Sequence, residues 1–137
     1  MKQCSETITL YNKRLNKRTG YDRYEPTIIR GVSWFCEVAS TVDSSGLKTA
    51  NKFTIRIPED ADFSGKTYVL PVEYPDEDPE ESFTLNQGDI IVHAEADPDE
   101  RMTPADLQET YGEIVTILSV TDSRKRPHAR HWKVVGS

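Results

Sequence analysis

The stretch that decides the fold is Asn86-Gln87-Gly88-Asp89-Ile90-Ile91-Val92-His93. Its first four residues have the composition of a tight turn, and the next three are apolar and β-branched, which is typical of a buried strand. We expect Gly88 and Asp89 to form the turn and Ile90 and Val92 to be buried. The other predicted strands are short and need such a central strand to pair with.

Alternating segments on either side of this stretch predict further strands. The clearest is Lys52–Ile57, in which Phe53, Ile55 and Ile57 alternate with polar residues. Further strands are predicted at 7–11, 27–38, 67–70, 113–120 and 131–135. Gly31 is a candidate β-bulge in the longest of them, and a bent strand suits a small barrel better than a flat sheet.

One short helix is predicted at 104–111. Thr103 is a good N-cap, Pro104 fits the first helical position, and Gly112 is expected to end the helix. Six or seven strands with one short helix predict a mainly β protein, a small, partly closed β-barrel or sandwich. The length of 137 residues fits a single domain, 1–137. Projecting loops are expected near 12–24, 40–50, 71–82 and 121–130.

Charge is separated along the chain, although the net charge is only -6. Residues 73–100 contain eleven carboxylates and no Lys or Arg, whereas the rest of the chain has 17 basic and 12 acidic residues. An ordinary solvated surface is one interpretation; head-to-tail contact between copies of the chain is another. The candidate interaction residues are Glu77, Asp78, Glu80 and Glu81 in the acidic segment, and Arg124, Lys125, Arg126 and Arg130 in the basic one.

The sequence lacks a membrane-spanning apolar run and an N-terminal signal-peptide pattern, so we expect a protein that begins in a cytosol, without a membrane partner. Cys4 and Cys36 are far apart and form neither a metal-binding pair nor a disulfide framework. Cys36 lies among strand residues and is expected to be a small core side chain.

No motif indicates catalysis, a cofactor or a metal. His93-Ala94-Glu95 matches the H-x-E part of the zinc deaminase signature, but no P-C-x-x-C follows it. His128 and His131 lie among arginines, which disfavours a cation site. The acidic segment offers oxygen ligands for calcium, but not in the order of an EF-hand. We therefore expect no enzyme.

The basic segment leaves a second function open. Its arginines and lysines with Trp132 are residues that contact phosphates and bases, and a small barrel with aromatics is typical of OB-like single-stranded nucleic-acid binders. A sequence pI near 5.1 and the acidic segment argue against nucleic-acid binding as the main role.

Several stretches resemble small structural proteins of Firmicutes-type tailed phages and prophages. The resemblance covers nearly the whole chain and rests on Glu6–Asn12, Gly31–Phe35, Asn51–Pro58, Gln87–His93 and Arg130–Gly136. These stretches are the packing skeleton of such proteins and contain no catalytic signature.

The resemblance implies a minor capsid, head-completion or head–tail joining protein, with a tail-completion protein as an alternative. It implies a small β-barrel subunit that forms a ring with copies of itself between portal or adaptor and tail proteins, and no cofactor. Such a protein is found in the virion and, during assembly, in the host cytoplasm. DNA passing through the ring would be contacted without sequence specificity.

Overall fold

The protein is described by a computed structural model covering residues 5–15, 22–43, 46–96, 103–112, 114–125, 127 and 130–137; at 15, 22, 38–43 and 46–51 it describes the backbone only. The strands are β1 (Glu6–Leu15), β2 (Asp22–Asp43), β3 (Gly46–Pro58), β4 (Thr67–Tyr68), β5 (Ser82–Phe83), β6 (Ile90–Val92), β7 (Val115–Asp122) and β8 (His131–Gly136), and the helix is α1 (Pro104–Tyr111). No helix in this part of the chain is long and apolar enough to cross a membrane.

Six strands close into an antiparallel barrel in the order β1-β2-β3-β8-β7-β6, and β4 and β5 form a separate parallel pair. The mainly β class and the small barrel are confirmed, as is the single short α-helix within the described residues. The barrel is closed rather than partly closed. Strand β6 is the shortest of the six barrel strands: it pairs with β1 over three residues and with β7 over two.

The long strand β2 bends at Gly31, as predicted. Gly31 has φ +89° and is passed over in the register between β1 and β2, where Glu6 pairs with Val32 and Thr7 with Arg30. A positive φ is readily adopted by glycine because it has no Cβ. After Val32, the described pairing of β2 changes from β1 to β3, beginning at Ser33.

Strands β2 and β3 continue past the barrel as a two-stranded ribbon, residues 37–43 and 46–52. The pairing of β3 with β8 begins at Phe53, whereas its pairing with β2 runs on from Lys52 to Gly46, opposite Glu37 to Asp43. The segment 40–50, expected to be a projecting loop, therefore projects as paired strands, with residues 44–45 outside the described part. A ladder satisfies the backbone donors and acceptors that a loop would leave to water.

The expectation that Cys36 is a core side chain is wrong, because Cys36 is exposed. Its alternation with Val32 and Trp34 is regular, but β1 pairs with β2 only as far as Val32, so at Cys36 the described structure pairs β2 with β3 alone. Cys4 lies outside the described residues. Residues 12–15 and 22–24, expected in the loop near 12–24, likewise pair as the ends of β1 and β2.

Two apolar clusters are built around the strands. The barrel interior contains the inward residues of β3, as the alternation of Lys52–Ile57 predicted, together with Ile91, Trp132 and Val134. A second cluster lies outside β6, where Ile90 and Val92 pack against Leu107 of α1. All three residues of β6 are therefore buried, because the barrel covers one face and the helix side the other.

The helix begins and ends where the sequence predicted. The Thr103 side chain accepts a hydrogen bond from the Asp106 amide, and the Asp106 carboxylate accepts one from the Thr103 amide, which completes a capping box. Gly112 follows the last helical residue with φ +75°.

Gly136→Ala is expected to destabilise the barrel closure. An added Cβ would lie 2.5 Å from Val115 Cγ1 and 2.6 Å from the Thr116 carbonyl oxygen, so β7 and β8 must separate. Overpacking of this kind costs about 1–3 kcal/mol, measurable by urea unfolding. Ser137→Ala, at the exposed next residue, is the control; equal stability of the two variants would contradict this account.

Candidate interaction surface

The acidic loop, residues 73–81, is fixed to the barrel. Its 3₁₀ turn, Tyr74–Asp76, places the Tyr74 ring in a buried position. The Arg14 guanidinium of β1 donates to the carbonyl oxygens of Glu77 at 2.7 Å and Pro75 at 3.0 Å, and lies 5.5 Å from the centre of the Tyr74 ring. The loop predicted from its prolines and charges is thus clamped by a residue about sixty positions earlier in the chain.

The four predicted acidic residues share this loop and are all exposed: Glu77, Asp78, Glu80 and Glu81. Asp78 accepts a hydrogen bond from the Glu80 amide at 2.9 Å, which shapes the second half of the loop. In the part of the chain that is described, none of the four carboxylates is in an ion pair. They form a fixed surface whose negative charge is not neutralised by the subunit's own described residues.

Buried acidic groups lie beneath the loop. Burial raises the pKa of Tyr74 to about 12, with the nearby Glu25 charge as a further cause. Burial also raises the pKa of Asp89, which is 2% exposed, to about 6. Hydrogen bonds to the Asp89 carboxylate oppose this rise: Oδ1 accepts from the Lys13 amide, and Oδ2 accepts from Asn12 Nδ2 and the Asn86 amide.

Asn12 connects this carboxylate to the strand that follows the acidic loop. Its Nδ2 also donates to the Thr84 carbonyl at 2.6 Å, and its Oδ1 accepts from the Thr84 amide at 3.2 Å. Gly88, with φ +92°, precedes Asp89 in the predicted turn. The turn therefore launches β6 as expected, and it also ties the end of the acidic loop to β1.

Of the predicted basic residues, Arg124 is engaged within the subunit. Its Nε donates to Asp122 Oδ1 and its Nη2 to Asp122 Oδ2, a bidentate pair, and the guanidinium lies 4.7 Å from the centre of the Trp132 ring and 5.0 Å from that of Tyr68. These hydrogen bonds lower the pKa of Asp122 and raise that of Arg124. The guanidinium thus caps the aromatic end of the barrel interior.

Two of the other three predicted basic residues are described. Lys125 and Arg130 are exposed, and Arg126 lies outside the described residues, as does His128. The Arg130 carbonyl accepts a hydrogen bond from the Glu59 amide. This bond holds the end of the connection between β7 and β8 against the turn after β3. The basic segment is therefore partly used for folding.

A groove that the sequence did not reveal lies between β7 and the segments 68–71 and 85–87. Its volume is about 460 Å³, and it is lined by Tyr68, Leu70, Pro71, Leu85, Asn86, Gln87, Leu118, Ser119, Val120 and Asp122. Leu118, which follows the inward-facing Ile117, is 50% exposed, and the register of β7 against β8 shifts here, between Ile117 and Ser119. Leu70 and Val72 are 49% and 80% exposed. The groove thus has an apolar rim beside a negative loop.

The H-x-E residues do not converge. His93 stacks on Trp34 at 4.2 Å between ring centres and its Nε2 lies 2.9 Å from Glu6 Oε2, whereas Glu95 pairs with Arg30. The deaminase interpretation therefore has no geometric support. Among the described residues, no group of three or more His, Cys, Asp or Glu side chains is placed to hold a metal ion.

The family model of DUF6751, a family of unknown function, matches residues 3–137, so the chain belongs to this family. No curated protein and no solved structure matches the chain.

Asp89→Asn is expected to change the pH dependence of stability. In the wild type the folded state holds the Asp89 proton up to a pKa of about 6, whereas the unfolded state loses it near 3.8. The Asp89 contribution to stability is therefore full below pH 3.8 and falls by about 3 kcal/mol as pH rises to about 6. Between pH 4 and pH 7 the variant should gain about this amount relative to the wild type in urea unfolding. A stability difference that does not vary with pH would contradict this assignment.

Arg14→Ala is expected to release the acidic loop without unfolding the barrel. The variant loses charge-assisted hydrogen bonds to loop carbonyls, each worth about 1.5–3 kcal/mol when well formed. The amides of Glu77 and Glu81 should exchange hydrogen faster. Arg23→Ala is the matched control, since Arg23 is the cross-strand partner of Arg14 and its ion pair is with Glu25. Equal exchange in both variants would refute the clamp.

Proposed function

We propose that this chain is a virion structural protein of a tailed phage or prophage, a head–tail connector or minor capsid subunit that joins copies of itself into a ring. Its place is the virion, and the bacterial cytoplasm during assembly. The observation that carries the proposal is the acidic loop: four exposed carboxylates held in one position, with no ion pair inside the described subunit. Fixed, unneutralised charge is typical of a surface completed by a partner.

The barrel supports this role by separating its surfaces. Acidic residues are concentrated on the clamped loop, while β3 and the connection after β7 contribute basic residues. A contact between unlike surfaces of neighbouring copies is heterologous, and such a contact closes into a ring when its rotation divides a full turn. The projecting ribbon gives each subunit a reach beyond its own barrel.

The acidic loop has a second use in such a ring. If it faces the central channel, its carboxylates repel the DNA backbone and let DNA slide without binding. The nucleic-acid-binding alternative needs unpaired basic residues beside exposed aromatic side chains on which nucleobases can stack. Arg124 is bound to Asp122 in the described structure, and its aromatic neighbour Trp132 is buried, so this alternative is less well supported.

The test is phage production from a lysogen that expresses the neutralised variant Glu77→Gln/Asp78→Asn/Glu80→Gln/Glu81→Gln. The wild-type chain should be present in purified particles by mass spectrometry. The neutralised variant should lower the yield of infectious particles, with unjoined heads and tails or undelivered DNA visible by electron microscopy. Asp60→Asn/Glu109→Gln, which neutralises exposed carboxylates elsewhere, should leave the yield unchanged.

Two results would overturn the proposal. One is absence of the chain from purified particles. The other is tight, salt-sensitive binding of single-stranded DNA in a gel shift by a chain that stays monomeric at every concentration, which would favour the nucleic-acid module. Normal assembly and DNA ejection by the neutralised variant would reject the role of the acidic loop alone.

A further inference from the structure

The ribbon has two open strand edges. Residues 37–43 of β2 pair only with β3, and residues 46–52 of β3 pair only with β2, in the described structure. An isolated two-stranded hairpin is marginally stable in water, and open edges are templates for pairing with another strand. The ribbon is seven residues long on each strand, about 23 Å at strand spacing.

The groove contains a third open edge, on β7. Strand β6 pairs with β7 only at Val115 and Thr116, and the preceding turn adds the bonds between Ile117 and the Gly88–Asp89 backbone. Beyond Ile117, within the described residues, no main-chain bond joins β7 to the segment 85–87 that forms the other wall. Residues 118–122 of β7 therefore present an edge of about 16 Å beside exposed Leu70 and Leu118.

The charges of the two surfaces are complementary. Of the two ribbon strands, the one from β3 is basic: residues 46–52 carry Lys48 and Lys52 and no acidic residue, whereas residues 37–43 of β2 carry Glu37 and Asp43. The groove wall formed by Leu70 and Pro71 leads directly into the acidic loop, which has no basic residue. The ribbon sequence also supplies apolar residues for the rim of the groove: Val38, Val42 and Leu47.

We propose that the β3 edge of the ribbon, residues 46–52, pairs with the open β7 edge, residues 118–122, of a second copy of this chain. The added strand occupies the groove, its lysines lie beside the acidic loop of that copy, and the Leu70–Leu118 rim is covered. This is strand addition, in which main-chain bonds give affinity and side chains give selectivity. The inference deepens the proposed function, because it names the contact that joins neighbours in the ring.

Charge exchange between copies tests the contact. Lys48→Glu/Lys52→Glu makes the ribbon acidic, and Glu80→Lys/Glu81→Lys makes the loop basic, so each variant repels itself. At low salt the wild type should associate in sedimentation velocity experiments. Each variant alone should associate at least about tenfold more weakly. An equimolar mixture should recover association, because every ribbon then meets a loop of opposite charge on the other variant.

A ribbon deletion separates strand pairing from general electrostatics. Replacing residues 39–50 by Asn-Gly shortens the hairpin without removing a barrel strand, and circular dichroism checks that the barrel remains folded. In wild-type oligomers the amides of 118–122 should exchange hydrogen more slowly than in dilute monomer; in the deletion variant they should not change with concentration. Asp60→Lys/Glu109→Lys carries the charge change of the loop variant on residues outside the groove lining, and should associate like the wild type.

The proposal is overturned if the wild type is monomeric at the highest concentration reached, if either charge variant associates as the wild type does, or if the mixture shows no recovery. These outcomes are distinct from failure of the proposed function. A chain that is absent from virions can still show the charge-exchange result in solution. Conversely, the chain could be present in virions while the ribbon substitutions leave its self-association unchanged. That result would keep the proposed virion role and reject the ribbon–groove contact.

Discussion

The structure depends on the burial of the Asp89 carboxylate beside β1. A three-residue strand such as β6 contributes few ladder bonds to a barrel closure, since it meets β1 at three positions and β7 at two. The Asp89 side chain adds bonds from Asn12, Lys13 and Asn86, and its backbone carbonyl accepts the Ile117 amide. One residue thus links β6 to both neighbours. Burial removes the Asp89 carboxylate from water, which costs desolvation free energy. The hydrogen bonds to the carboxylate offset this cost, so they add little net stability.

The shortness of β6 also explains why part of the β7 edge is unpaired although the barrel is closed. A longer β6 would cover the whole edge of β7, but here the chain before Asp89 turns away to meet Asn12 through Thr84. The edge of β7 beyond Ile117 is left beside the chain that leads into the acidic loop. Closure of the barrel, anchoring of the loop and exposure of the β7 edge are therefore consequences of one local arrangement.

Local signals in the sequence predicted local structure well. The alternation of Lys52–Ile57 placed three side chains in the core, and Thr103 with Asp106 marked the helix start. The sequence did not show where a strand leaves the core. Cys36 keeps the alternation of β2, but β1 pairs with β2 only as far as Val32, and the Cys36 side chain is exposed. Long-range pairs were equally inaccessible, because nothing near Arg14 in the sequence points to the carbonyls of Glu77 and Pro75.

The distribution of charge pairing separates the residues that build the fold from those available to a partner. Arg14, Arg30 and Arg124 all have partners within the subunit, so a count of basic residues overstates the basic surface. The described carboxylates of the acidic loop, by contrast, shape the loop only through Asp78. A barrel of this kind hosts many functions, so function must be argued from the site. Here the site is an open strand edge beside exposed negative charge, and both features are matched by the open, basic β3 strand of the ribbon that the same chain extends away from its barrel.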